Sequence, residues 1–371
     1  MASRGSEKRV REILSQAGIK IGGSDPWDIH VLDDRFYRRV LAQGSLGLGE
    51  SYMDGWWECD RLDRFIHSLL GAGIENNINL PLIWEYLKAK IFNLQKRSRA
   101  YQIGERHYDA GNDLYRAMLD GGMNYSCGYW KEASTLDEAQ EAKLELICRK
   151  IGLEAGQRAL DIGCGWGGFA IYAAKKRDAK VVGITVSGEQ VKLARELAAG
   201  LEVEIRLQDY RSLDGSFDRV VSVGMIEHVG RKNYRRFMRI VRRCLADDGL
   251  FLLQTIGSNR SGISNDPWIS RYIFPNSMLP SIAQLARAAE GLLVFEDLHN
   301  FGADYDRTLL AWHGNFERNW VRIKHNYDNR FYRMWKYYLL SCAGAFRARR
   351  IQLWQIVLSR NGVPGGYRAV R

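Results

Sequence analysis

Ala159-Leu160-Asp161-Ile162-Gly163-Cys164-Gly165-Trp166-Gly167-Gly168 is the stretch that decides the fold. A short apolar strand runs into a glycine-rich turn, and a helical pattern follows at 169–176. Glycines in such a turn permit positive φ and let backbone amides approach a ligand at a helix N-terminus. Outward from it the periodicity predicts helices at 136–151, 188–199 and 234–245, and strands at 158–161, 180–184, 203–207, 219–223 and 250–255. Strands alternating with helices define an α/β domain, a mostly parallel sheet covered on both faces.

Two ligand chemistries compete for the turn. Gly163, Gly165 and Gly168 satisfy the dinucleotide pattern G-x-G-x-x-G, but that site wants Asp or Glu about 20 residues further on to hold a ribose. Here the second strand ends in Thr185. Asp161 with Gly163, Gly165 and Gly167 fits instead the D-x-G-x-G-x-G pattern of class I methyltransferases, whose loop holds the methionine part of S-adenosylmethionine. Many of those also carry an acid on the second strand, so Thr185 departs from the general form of both patterns. Gln208-Asp209-Tyr210 closes the third strand, at the edge where open sheets bind ligands, and is a candidate for the adenine.

The chain has 371 residues, 46% of them hydrophobic, enough for two domains. Residues 1–90 mix short amphipathic stretches with glycine punctuation at Gly22-Gly23 and at 44–60, which predicts a small, mostly helical N-terminal domain suited to lipid binding or dimerisation. A basic segment at 91–110 with Lys96, Arg97, Arg99 and Arg106 reads as a linker, and 111–371 as the catalytic domain. A net charge of +11 favours an anionic partner, either nucleic acid or a phospholipid surface. Arg231, Lys232, Arg235, Arg236, Arg239, Arg242 and Arg243 form the densest basic cluster. There is no uncharged apolar run near the ~20 residues that cross a bilayer, and the opening MASRGSEKRV has no apolar signal core, so a cytoplasmic location is expected. The six cysteines show no CxxC pair, which predicts reduced thiols and no metal site.

Further segments carry a resemblance: Tyr125-Ser126-Cys127-Gly128-Tyr129-Trp130, Gly183-Ile184-Thr185-Val186-Ser187 with Gln190, and Val223-Gly224-Met225-Ile226-Glu227-His228. Asp266-Pro267-Trp268, Tyr272-Ile273-Phe274-Pro275, His299-Asn300-Phe301-Gly302-Ala303-Asp304-Tyr305-Asp306 and the segment at 342–355 extend it. In this order they resemble the cyclopropane fatty acid synthases of bacterial phospholipids. The resemblance implies a class I methyltransferase fold, S-adenosylmethionine as methyl donor, and unsaturated phospholipids of the inner membrane face as substrate. It also implies a homodimer that binds no nucleic acid, and no aspartate- or asparagine-Pro-Pro-aromatic tetrapeptide of the amino-methylating enzymes is present. Cofactor contacts are implied for Tyr125, Ser126, Asp161, Gly163, Gly165, Gly167, Thr185, Gln190, Gln208, Asp209 and Tyr210.

In such a reaction a methyl group adds to an alkene, and the resulting carbocation must survive until a proton leaves the new methyl carbon. That requires π faces or carboxylate nearby, and a placed base. Tyr125, Tyr129, Trp130, Tyr272, Phe274 and Tyr305 are the aromatic candidates. The resemblance implies bicarbonate as the base, held at positions that correspond to Cys127, Glu227, Gln254, Ile256 and Tyr305. Gln254 stands where the family has histidine, and an amide donates a hydrogen bond but relays no proton. Cys342, in a run of small residues, is a further candidate, although no step calls for a thiolate and helix packing explains it as well. Methyl-branching of a lipid and non-catalytic lipid binding remain alternative functions.

Overall fold

The computed structural model describes residues 4–73, 111–262 and 265–371, which divide into two compact units. One contains the described residues of Met1–Phe92, Ile263–Pro275 and Tyr305–Ile351; the other contains those of Asn93–Gly262, Asn276–Asp304 and Gln352–Arg371. The basic segment at 91–110, with Lys96, Arg97, Arg99 and Arg106, lies outside the described residues.

The first unit is mostly helical. Helices Arg4–Ser15, Arg35–Met53, Leu62–Gly71, Pro267–Tyr272 and Asn329–Arg347 join most of Ala303–Ile323, and one short antiparallel pair links β1 (His30–Val31) to β2 (Trp57–Glu58). Trp57 is fully buried among Phe36, Tyr52 and Phe65, and its indole N–H donates to the Leu48 carbonyl and the Ser51 hydroxyl at 3.1 Å each. The small residues after Cys342 have a packing role. A Cβ on Gly344 would lie 2.6 Å from the Asp63 carbonyl, so only glycine lets helix Asn329–Arg347 come this close to Leu62–Gly71.

Beside that contact Asp63 is buried and accepts from Arg61 (3.0 Å) and Arg347 (2.7 Å), while Arg347 also bonds Asp306 at 2.8 Å. Burial alone raises a carboxylate's pKa, yet the two guanidinium bonds hold Asp63 at about 2. A folded pKa below the ordinary 3.8 means that this stabilisation is present above pH 3.8 and is lost as pH falls toward 2. Arg347→Met removes the bond to Asp63 and should destabilise the fold by about 2 to 3 kcal/mol at pH 7, by denaturant titration. The difference from wild type should shrink below pH 3.

The second unit is built on a seven-stranded sheet: β3 (Arg158–Ile162), β4 (Lys180–Thr185), β5 (Val203–Leu207), β6 (Phe217–Val223), β7 (Leu245–Ser258), β8 (Val294–Asn300) and β9 (Ile351–Ser359). Their order is β5-β4-β3-β6-β7-β9-β8. Pairings from β5 through β7 are parallel, and β9 runs antiparallel to β8. Side chains alternate between two buried faces. Leu160, Val220, Phe251 and Ile356 enter one apolar cluster, while Ala159, Val221, Leu252 and Val357 enter the other. Helix Leu136–Lys150 starts where expected because Thr135 and Glu138 form a reciprocal capping box.

Strand order reverses between β3 and β6, so the carboxyl ends of these two strands flank the crevice in which open sheets bind ligands. Several arginines of the basic cluster are occupied nearby. Arg242 donates to the carbonyls of Leu292 and Arg360, Arg243 to that of Leu213, and Arg235 to that of Glu290, where helix Ile282–Ala289 ends. A guanidinium there complements the negative end of the helix dipole. Among the described residues no helix is long and apolar enough to cross a membrane.

Candidate functional site

The turn after β3 adopts the backbone that its glycines permit. Gly163, Gly165 and Gly167 have φ of +85°, +56° and +88°, and helix Gly168–Arg177 follows directly. The amides of Gly163 and Cys164 are both tied to the Ile184 carbonyl at 2.9 Å, which pins the turn to β4. A Cβ on Gly163 would sit 2.8 Å from Met225, and one on Gly168 would sit 2.5 Å from the Asn124 amide oxygen. Beside Gly165 there is open space instead. Asp161 is buried, and desolvation pushes its carboxyl up to about 7 against the pull of the Lys143 ammonium.

On the β4 side, the Thr185 hydroxyl donates to Gln190 Oε1 at 2.7 Å, and the Ser187 hydroxyl accepts from the Gln190 amide as the cap of helix Gly188–Leu197. Thr185, where both general patterns carry an acid, therefore orients the Gln190 side-chain amide. After β5, the Gln208 side chain donates to the Ser212 carbonyl, and Asp209 is ion-paired to Arg211 at 2.8 Å, both of them buried. Tyr210 packs edge-on against Phe237 inside the apolar cluster, and its hydroxyl has no hydrogen-bond partner among the described residues.

A polar layer that the sequence reading did not single out lies against the turn. Asp120 accepts from the Gly122 and Asn124 amides and from Asn124 Nδ2. Helix Leu136–Lys150 contributes Gln140, which donates to the Ser126 carbonyl at 2.7 Å, and the buried Lys143, which donates to Asn124 Oδ1 (3.2 Å) and Ser126 Oγ (3.1 Å). Nothing in its surrounding sequence separates Lys143 from an ordinary surface lysine of an amphipathic helix. Desolvation lowers its ammonium to about 8, with Asp120, Cys127 and Asp161 opposing the shift.

Of the positions that the resemblance implies for the base, Cys127, Glu227, Gln254 and Ile256 lie in this unit. Glu227 lies on the short turn after β6, and its Oε1 accepts from the Ile256 amide at 2.7 Å. Its Oε2 is buried and receives no hydrogen bond of good geometry among the described residues, since the neighbouring Thr255 hydroxyl donates to the Ile256 carbonyl at 2.9 Å, and burial pushes the carboxyl up to about 7. Gln254 sits on β7 opposite Val223, and its Oε1 accepts from Gln355 Nε2 at 2.9 Å. Cys127 is fully buried, with its thiol donating to the Gly128 carbonyl. Tyr305 and Cys342 belong to the helical unit. There Tyr305 stacks on Phe346 at 4.5 Å, and burial pushes the Cys342 thiol up to about 12, which keeps it protonated at neutral pH.

The other aromatic candidates are distributed as follows. Tyr125 packs edge-on against Tyr115, Tyr129 against His299 and Phe301, and the Trp130 amide donates to Asp304. In the helical unit the Tyr272 hydroxyl donates to Glu50, and Phe274 meets the ring of Tyr338.

A glycine turn of this form, at the switch point of a sheet with a β9-type antiparallel insertion, defines a class I S-adenosylmethionine-dependent methyltransferase. The particular branch follows from comparison with known proteins. Residues 95–356 match the sequence model of the mycolic acid cyclopropane synthetase family. The chain is 56% identical over 364 residues to the cyclopropane-fatty-acyl-phospholipid synthase of Escherichia coli K12, covering 98% of this chain and 95% of that protein. It is 33% identical to the tuberculostearic acid methyltransferase UfaA1 of Mycobacterium tuberculosis, covering 94% and 87%. Its fold matches the crystal structure of mycolic acid cyclopropane synthase CmaA1 complexed with SAH and CTAB at a TM-score of 0.65 and 31% identity, over 70% of this chain and 98% of that one. The chain belongs to the cyclopropane synthase family.

Proposed function

We propose that the protein transfers the methyl carbon of S-adenosylmethionine to the cis double bond of an unsaturated phospholipid acyl chain and closes it into a cyclopropane ring. The observation that carries the reading is the buried, half-partnered carboxylate of Glu227 at the carboxyl end of β6, beside the glycine turn of β3. S-adenosylmethionine supplies the methyl group, and bicarbonate supplies the acceptor for the proton lost on ring closure. The residues fit such an anion in one specific respect. Glu227 Oε2 lacks a donor, and the hydroxyl of bicarbonate is one. Ile256 holds the other carboxylate oxygen, Gln254 contributes an amide in place of an ionisable ring, and Cys127 a thiol. Asp161, the glycines, Tyr125, Ser126, Thr185, Gln190 and the 208–210 segment hold the methyl donor.

The N-terminal 90 residues and exposed basic side chains dock a homodimer on the inner face of the membrane, where each cation near an anionic surface contributes about 1 kcal/mol. Binding to anionic vesicles should therefore weaken steeply between low and high salt in co-sedimentation.

The deciding experiment is mass spectrometry of phospholipid vesicles incubated with the protein and S-adenosylmethionine, with and without added bicarbonate. Gain of one CH2 with loss of the alkene, enhanced by bicarbonate, is the expected result. The same product without bicarbonate dependence moves the base role to Glu227. A methyl-branched chain is the second reading, favoured by the similarity to UfaA1, and a branched product would establish it.

A further inference from the structure

Lys143 is buried on helix Leu136–Lys150, and no step of the proposed reaction uses it. Its ammonium can only donate, while a serine hydroxyl has one proton to give and two lone pairs to offer. The 3.1 Å contact from Lys143 Nζ to Ser126 Oγ therefore makes the hydroxyl oxygen an acceptor on that side, and the hydroxyl proton must point elsewhere. The same Nζ orients the neighbouring amide. Asn124 Oδ1 accepts from Lys143, so its Nδ2 faces Asp120 and donates at 2.7 Å. That amide oxygen lies so close to the start of helix Gly168–Arg177 that a Cβ on Gly168 would meet it at 2.5 Å. Lys143 thus ties the 124–126 segment to the glycine turn and gives its polar groups a single donor-acceptor order.

From this geometry we infer that Lys143 is a positioning residue for the methyl donor, setting Ser126 as a hydrogen-bond donor toward the carboxylate of its methionine part. A carboxylate accepts and cannot donate, so a hydroxyl already supplied with a donor on its other side is preorganised for it. The charge of Lys143 adds attraction for the same group, and Asp120 and Asp161 offset part of it. This inference rests on the reading that the glycine turn holds S-adenosylmethionine.

The test compares two probes by calorimetry on the full chain: S-adenosylhomocysteine, and 5′-methylthioadenosine, which lacks the amino-acid carboxylate. Lys143→Met should weaken S-adenosylhomocysteine about tenfold or more and leave 5′-methylthioadenosine unchanged. Ser126→Ala keeps the lysine and should show the same selective loss, with little further loss in the double variant. Equal weakening of both probes by Lys143→Met reveals a merely structural lysine and overturns the inference, as does unchanged S-adenosylhomocysteine binding by Ser126→Ala. Should Lys143→Met fail to fold, Lys143→Gln, which keeps a polar group of similar length but not the charge, is read by the same comparison, and equal binding of both probes to it and to the wild type overturns the inference. If the wild type binds neither probe, the cofactor-site reading itself is wrong.

Discussion

Glu227→Gln lowers kcat for ring formation by about 100- to 1000-fold, the range expected when the carboxylate that holds the proton-accepting anion is lost, with little change in S-adenosylhomocysteine binding. The substitution preserves the geometry, because the glutamine oxygen still accepts from the Ile256 amide. What it removes is the negative charge and the second acceptor, Oε2, which has no hydrogen-bond partner among the described residues. Wild-type kcat should rise with pH through about 7, where burial has moved the Glu227 carboxyl, and the residual rate of Glu227→Gln should lack that inflection.

Stability moves the opposite way, which separates a lost function from a lost fold. A folded pKa raised from 4.5 to about 7 means the folded state holds its proton more tightly than the unfolded chain. The contribution is then fully present below pH 4.5 and is lost as pH rises through about 7. At pH 8 the wild type carries a buried charge that Glu227→Gln does not. The variant should be more stable there by on the order of 2 to 3 kcal/mol and close to wild type at pH 4. An inactive variant that is also less stable at pH 8 would make Glu227 a structural residue. Functional sites commonly hold groups that the fold alone would not favour, and Glu227 is expected to be one of these.

How much of this was legible in the sequence depends on what each residue answers to. The sheet was readable because β3, β4, β6 and β7 are apolar runs buried on both faces, and a glycine turn needs no tertiary information to be recognised. Predicted strand 250–255 is the middle of β7, which extends over Leu245–Ser258; the added residues pair with β6 at Phe217 or flank that ladder, a tertiary fact. β8 and β9 went unread. β8 is an edge strand with exposed Val294, Phe295 and Leu298, so its apolar residues follow no clean alternation. Glu227 was visible because a carboxylate after an apolar strand lands at a sheet edge. Lys143 was not, since a buried lysine and a solvated one look alike until the partner segment at 120–126 is placed. The basic cluster at 231–243 read only as the densest concentration of the positive charge that favours an anionic partner, yet Arg235, Arg242 and Arg243 bind backbone carbonyls of distant segments. Charge counting does not see such acceptors.

Gly165→Ala should leave the protein folded and weaken S-adenosylhomocysteine by about 100-fold or more, near 3 kcal/mol. Two terms decide this. At φ +56° an alanine occupies the left-handed region, at a cost of about 1 to 2 kcal/mol, which lowers Tm by a few degrees. The added methyl meets no protein atom within 4 Å, so it projects into open space at the ligand edge of the sheet, where the methyl donor is proposed to lie. Gly163→Ala is the contrast, because its methyl would sit 2.8 Å from Met225 at φ +85°. That variant has to displace a side chain as well as strain the turn, and its loss of stability should exceed that of Gly165→Ala. Thermal unfolding with and without S-adenosylhomocysteine reads both terms. For Gly165→Ala the unliganded Tm falls by only a few degrees while the ligand-induced rise is largely lost, and for Gly163→Ala the unliganded Tm falls further. A Gly165→Ala protein with an undiminished ligand-induced rise would show that the space beside Gly165 is not the methyl donor's, and the turn would then serve only to join β3 to its helix.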